Sequence, residues 1–235
     1  MIEYIVPNNI DDRILTRAAN LLREGGTVAL PTDTSWSIVC SMNSREGIKR
    51  LRAISKERNE RLFTIFCSDI SQFQEFSNLD NSRFRLIKRL TPGPYVFVLK
   101  TLLGTEKVLG LRRREIGIRM PDYPVPLALI RALGCPLYGI TAKRNMTTDW
   151  IDENDGGEEV GGEKADNEEN APDAAAAFLF YPEETLFDGG WELEDIRGLD
   201  LILDPGEDRN RLFSTVLDLT GEAQVLRQGA GSWPV

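Results

Sequence analysis

Short apolar runs alternate with stretches whose apolar residues recur at helical spacing, and this alternation continues along nearly the whole chain. Strands are expected at 2–6, 28–30, 38–40, 62–67, 95–100, 116–120, 137–140, 199–203, 215–219 and 224–227. Helices are expected at 11–24, 44–55, near 69–76, at 81–90 and at 124–133. The first places Ile14, Ala18, Leu21 and Leu22 on one face and is stopped by Gly25-Gly26, as a left-handed C-terminal cap would stop it. Ser44 can cap the second, whose Ile48, Leu51 and Ile54 share a face. Pro124 and Pro126 suit a first helical turn, where an N–H has no partner to lose. Such a pattern favours one α/β domain, residues 1–235, around a twisted mixed sheet. No internal repeat interrupts it.

The exception is an acidic interval. Residues 147–195 hold seventeen carboxylates against one base, Lys164, so the formal charge of −9 averages two unlike regions. The remaining chain is mildly basic, and the low overall pI says little about its partners. Residues 152–173 carry almost no large apolar side chain and cannot offset the entropy of ordering. We read about 147–181 as a disordered insertion, either a solvated spacer or a segment that folds back over a cationic face.

Histidine is absent, which excludes a Ser-His-Asp triad, a Cys-His dyad, an HExxH zinc site and any imidazole base. Catalysis would rest on Lys, Arg, carboxylates, hydroxyls or backbone dipoles, groups that suit phosphate chemistry. Three cysteines without a CxxC, no ~20-residue apolar run and no basic leader at Met1-Ile2-Glu3-Tyr4 fit a cytoplasmic protein without membrane contact.

Several segments could carry that chemistry. Pro31-Thr32-Asp33-Thr34-Ser35-Trp36 follows a buried strand, where α/β sheets bind ligands, or its hydroxyls satisfy a turn. Lys56 and Arg58 could converge on one anion, or merely oppose a helix C-terminus. Arg119 is a charge inside an apolar strand, facing either a carboxylate or a cleft. Ser214-Thr215 and Arg227-Gln228-Gly229 could complete an anion site or simply end their strands. Arg112-Arg113-Arg114 suits a solvated loop or nucleic-acid phosphates.

In order and spacing, Pro31-Thr32-Asp33-Thr34, Lys56-x-Arg58, Thr91-Pro92-Gly93-Pro94, Ile116-Gly117-Ile118-Arg119-Met120-Pro121, Ser214-Thr215-Val216-Leu217-Asp218 and Arg227-Gln228-Gly229 resemble the YrdC-like domain family. Phe63-Thr64-Ile65-Phe66-Cys67-Ser68-Asp69 looks most like its YciO branch. The resemblance implies a YrdC/RibB-like twisted open sheet flanked by helices, with a large concave basic cavity. It implies threonylcarbamoyl-adenylate synthesis from ATP, L-threonine and bicarbonate with release of pyrophosphate, serving a tRNA modification. Mg²⁺ would accompany ATP as substrate, with no protein-bound metal. Carried over by motif, Thr32 and Thr34 would hold the amino acid, and Lys56 and Arg58 the nucleotide and the threonine carboxylate. Ser214 and Arg227 would hold ATP, Arg119 would line the cavity, and Thr141 would keep a ligand hydroxyl. Synthases carry a Ser-Ala-Asn type motif where this chain reads Thr141-Ala142-Lys143-Arg144, which adds positive charge. Two readings follow: a synthase-like nucleotidyltransferase, or a non-catalytic protein holding tRNA or double-stranded RNA in the same basic concavity.

Overall fold

The computed structural model describes residues 1–56, 63–102, 114–147, 183–209 and 211–233. The expected insertion at 147–181 lies, Thr147 apart, outside the described residues, as do Arg58, Arg112 and Arg113.

Ten strands form one sheet: β1 (Ile2–Tyr4), β2 (Val28–Pro31), β3 (Trp36–Ser41), β4 (Thr64–Phe66), β5 (Tyr95–Lys100), β6 (Glu115–Arg119), β7 (Leu137–Thr141), β8 (Leu201–Asp204), β9 (Thr215–Asp218) and β10 (Gln224–Arg227). Their order across the sheet is β1-β8-β2-β3-β7-β4-β6-β5-β9-β10. Pairing is mixed: β1–β8, β8–β2, β4–β6 and β5–β9 run parallel and the rest antiparallel. The late strands are thus dealt to both edges, and the sheet stays open.

The helices are α1 (Asp12–Arg23), α2 (Arg45–Ser55), α3 (Ser71–Phe76), α4 (Asn81–Leu90) and α5 (Pro124–Leu133). Side chains close the N-termini that the sequence marks. Asp11 accepts from the Arg13 N–H, Ser44 from Gly47 and Asp80 from Arg83, each relieving an orphan donor. Gly25 ends α1 with φ at +90°, which costs glycine nothing. Expected boundaries move by one or two residues. The strand expected at 38–40 runs from Trp36, because β2 and β3 form a hairpin whose pairing begins at Pro31 and Trp36.

Strand alternation sends side chains to two faces. On one, Trp36, Ile38, Cys40, Ile65, Phe97, Ile116, Ile118, Tyr138 and Leu217 join Leu51, Phe73 and Ile87 of the helices in the main core. On the other, Leu30, Val39, Phe66 and Leu137 pack under α1 and α5 through Ala18, Leu22, Val125 and Leu129. That second layer stops short. Over β5 and β9 it leaves only a small cluster of Val96, Val98 and Val216. No described helix covers this half of the face. No helix among the described residues is long and apolar enough to cross a membrane.

Candidate functional site

Polar side chains gather on this half-face, which no described helix covers. Thr64 and Phe66 of β4, Val96 of β5, Arg119 of β6, Thr141 of β7, Val216 of β9 and Arg227 of β10 line one cleft, with Ile140, Lys143, Phe213 and Ser214. It has room for about 40 Å³ of water, within about 550 Å³ of empty space that includes open solvent at its mouth. Register explains the grouping, since Phe66 lies opposite Arg119, Thr64 opposite Gly117 and Arg227 opposite Val216. At Gly117 a Cβ would stand 3.0 Å from Val96 Cγ1 and 3.3 Å from Thr64 Oγ1, so the missing side chain leaves the floor open. Three of the lining side chains are cationic, and none of the described lining residues is a carboxylate.

Arg119 does both things its sequence position allowed. It faces the cleft, and it is 4% exposed with Nη2 donating to Asp33 Oδ1 at 2.6 Å and to Thr34 Oγ1 at 3.1 Å. Burial pulls the guanidinium pKa down, while the charge and hydrogen bond of Asp33 push it back up. Arg119 Nε and Asp33 Oδ2 are buried without a hydrogen-bond partner among the described residues.

The Thr32–Ser35 loop is fully buried apart from Asp33. The Thr32 hydroxyl is used inside its own turn. It donates to the Ser35 carbonyl at 2.7 Å and accepts from the Thr34 and Ser35 N–H groups. Thr34 instead faces Arg119. From behind, Arg209 stacks on Tyr123 at 4.4 Å and donates to the Thr32 carbonyl at 2.8 Å. Neither Arg209 nor Tyr123 has a sequence signature, since both sit in loops at unrelated positions.

At the far wall, Arg227 lies over the Phe213 ring at 4.8 Å and donates to the Ser214 carbonyl at 3.1 Å and its Oγ at 3.3 Å. The turn after it is fixed by Thr215 Oγ1, which accepts from the Gly229 N–H and donates to the Gly231 carbonyl. Gly229 permits this approach, because a Cβ there would lie 2.2 Å from the Phe213 carbonyl oxygen.

Lys56 stands apart from the cleft lining. It caps α2 with φ at 53°, a left-handed conformation that L side chains seldom take, and its Nζ reaches the Asn145 and Thr147 carbonyls. Lys143, by contrast, is buried in the cleft wall. Its signal was legible: a lysine two residues beyond an apolar strand that ends in Thr141. Arg144, expected to add charge beside it, is engaged elsewhere. It pairs with Glu192 and Asp188, donates to the Glu184 and Leu186 carbonyls, and covers Phe187. It thereby seats the 183–195 segment, whose Asp188 also pairs with Arg211 and accepts from Trp36 Nε1.

Fold and cleft together define an open-sheet α/β domain with a cationic cleft on one face of the sheet. The chain belongs to the Sua5/YciO/YrdC family, whose model, described as telomere recombination, matches residues 20–164. Thr32, Thr34, Lys56, Arg58, Arg119 and Thr141 fall inside that stretch, and Ser214 and Arg227 beyond it. The uncharacterized protein YciO of Escherichia coli K12 is 36% identical over 138 residues, 57% of this chain and 66% of that protein. The match thus spans just under two thirds of that relative's length. The crystal structure of E. coli YciO has a TM-score of 0.75 at 27% identity, over 99% of this chain and 97% of that one. A threonylcarbamoyl-AMP synthase of Bacillus subtilis is 30% identical over 136 residues, 56% of this chain and 39% of the synthase. P. abyssi Sua5 complexed with L-threonine shares the fold with a TM-score of 0.73 at 21% identity, over 97% of this chain and 57% of Sua5.

Proposed function

We propose that the chain is a nucleotide-binding nucleotidyltransferase of the threonylcarbamoyl-AMP synthase type, serving tRNA modification. The observation that supports this most is the meeting of Arg119, Thr141, Ser214 and Arg227 in one cleft, with Thr34 against Arg119. Names borne by relatives, threonylcarbamoyl-AMP synthase and Sua5 with L-threonine, supply the substrate class.

The chemistry asks little of side-chain bases. The threonine amine takes the carboxyl group from bicarbonate with loss of water. One carbamate oxygen then attacks the α-phosphorus of ATP, and the bond to the bridging oxygen breaks with pyrophosphate as leaving group. Charge grows on the equatorial and bridging oxygens, so fixed cations and hydroxyl donors held in place accelerate the step. Arg119 suits an oxygen near the hydroxyl loop, and Arg227 with Ser214 suits the opposite wall. Mg²⁺ enters with the triphosphate as part of the substrate. Phe66, Ile140 and Phe213 line the cleft with apolar surface, where charge–charge attraction is stronger than in water.

The test is threonine-dependent pyrophosphate release from Mg-ATP, L-threonine and bicarbonate. Release that depends on all three and falls at least about a hundredfold in R227M supports the proposal. Its absence at any substrate concentration overturns it.

A further inference from the structure

Three segments that build the cleft converge on one residue outside it, Asp188. The backbone there is fixed from both sides. Leu186 and Phe187 sink into the core, Glu192 Oε1 accepts from the Asp188 and Gly189 N–H groups at 2.8 and 3.1 Å, and a Cβ on Gly190 would stand 2.5 Å from Asp204 Oδ2. The Asp188 carbonyl accepts from Trp36 Nε1 at 3.1 Å, directly after the Thr32–Ser35 loop. It also accepts from the Arg209 N–H at 2.9 Å, and the Arg209 side chain holds the Thr32 carbonyl. The Asp188 carboxylate takes Arg211 in a two-pronged pair and lies 3.9 Å from Arg144 Nη2. Arg211 shortly precedes Phe213 and Ser214 of the cleft lining, and Arg144 directly follows Lys143. The Asp188 and Arg211 side chains are 34% and 36% exposed, so their pair by itself adds little to stability. Its consequence is geometric, since it ties two walls of the cleft to the 183–195 segment.

We infer that Asp188 is a positioning residue for the cleft, setting the placement of the 213–214 and 141–143 walls through Arg211 and Arg144. It is not itself among the lining residues. This rests on the cleft being the anion site proposed above, but not on catalysis. The sign of the effect separates positioning from charge. A carboxylate near an anion site repels the anion, so by Coulomb's law alone its neutralisation tightens binding. Loss of a positioning contact weakens it.

Titration calorimetry with inorganic pyrophosphate compares wild-type protein, D188N, R211M and D188N/R211M, with D200N as a control. Asp200 pairs with Arg50 at similar exposure, 28% and 34%, and neither residue lines the cleft. Pyrophosphate affinity is expected to fall about five- to thirtyfold in D188N and not to fall in D200N. Adding D188N to R211M should cost less than about threefold more, because the guanidinium it holds is already gone. Unchanged affinity in D188N would mark a structural residue only, and tighter binding a through-space charge; either overturns the inference. So do fully additive losses in the double variant, or wild-type protein that binds no pyrophosphate. If D188N fails to fold, amide exchange of the wild type decides, since a segment that shapes the cleft is steadied in turn by the cleft's ligand. Pyrophosphate should then slow exchange at Leu186 and Ile196, whose N–H groups donate to the Glu183 and Leu193 carbonyls, by at least about threefold; no change is fatal. Affinity lost in D188N with no threonine-dependent turnover in the wild type would sink the synthase reading and leave this inference standing. Turnover with pyrophosphate affinity indifferent to D188N would do the reverse.

Discussion

Replacing Asp33 with alanine strips a buried cation of its counter-charge. The Arg119 and Asp33 side chains are 4% and 13% exposed and meet at 2.6 Å. Removing one partner of a buried pair costs about 3–5 kcal/mol, because the other charge stays in a poorly solvating place. Thr34 Oγ1 remains as an acceptor and the cleft admits water, so the lower end, about 3 kcal/mol, is expected. With a urea m-value of about 2–3 kcal/mol per M, the unfolding midpoint should fall by about 1–1.5 M. The double variant D33A/R119M removes both charges and should recover most of that loss, since an apolar replacement of a buried pair is often near neutral. A D33A midpoint within about 0.3 M of wild type would mean that water already solvates Arg119. The description of Arg119 as a fixed, desolvated cation of the cleft wall would then be wrong.

Three further outcomes follow from the structure. G229A should lose about 1–3 kcal/mol and weaken pyrophosphate binding, because its Cβ must push the 227–231 turn off the Phe213 and Ser214 backbone; unchanged stability and affinity would refute that contact. Burial raises the Asp200 pKa, but hydrogen bonds from Arg50 and from the Thr27 N–H outweigh it and leave the carboxyl below its ordinary value. Its contribution is therefore complete above about pH 4 and lost as pH falls through the lowered folded value, so the stability gap between wild type and D200N should narrow on acidification; urea midpoints from pH 7 to pH 3 check the sign. R144A should release the 183–195 segment, with amide exchange at Leu186 and Ile196 at least about tenfold faster while β3 and β7 stay protected.

Much of the architecture was legible because it is written in local periods and local chemistry. Asp11, Ser44 and Asp80 cap helices within three residues of themselves, and Gly25 ends α1 by its own φ. The two-residue period of β5 sends Tyr95, Phe97 and Leu99 to one core cluster and Val96 and Val98 to another. Such features need no knowledge of distant neighbours. Arg119 could be singled out as a charge in an apolar strand, but its partner Asp33 could not be chosen by local rules from 86 residues away.

Position in the sheet was another matter. β8 lies beside β1 and β2, whereas β9 and β10 lie beyond β5 at the opposite edge, although little chain separates β8 from β9. That deal brings Arg227 and Ser214 to the wall facing Arg119, and it leaves Lys56 on the Asn145 and Thr147 carbonyls outside the lining. It also divides Lys143 from Arg144, adjacent in the chain yet serving the cleft and the 183–195 segment respectively. The sequence by itself determined which residues form strands and helices, which face of each is apolar, and which chemistry the absence of histidine forbids. Only the tertiary structure decided which cations share a cleft, because strand order and helix coverage arise from contacts between segments far apart in the chain, where no local period reaches.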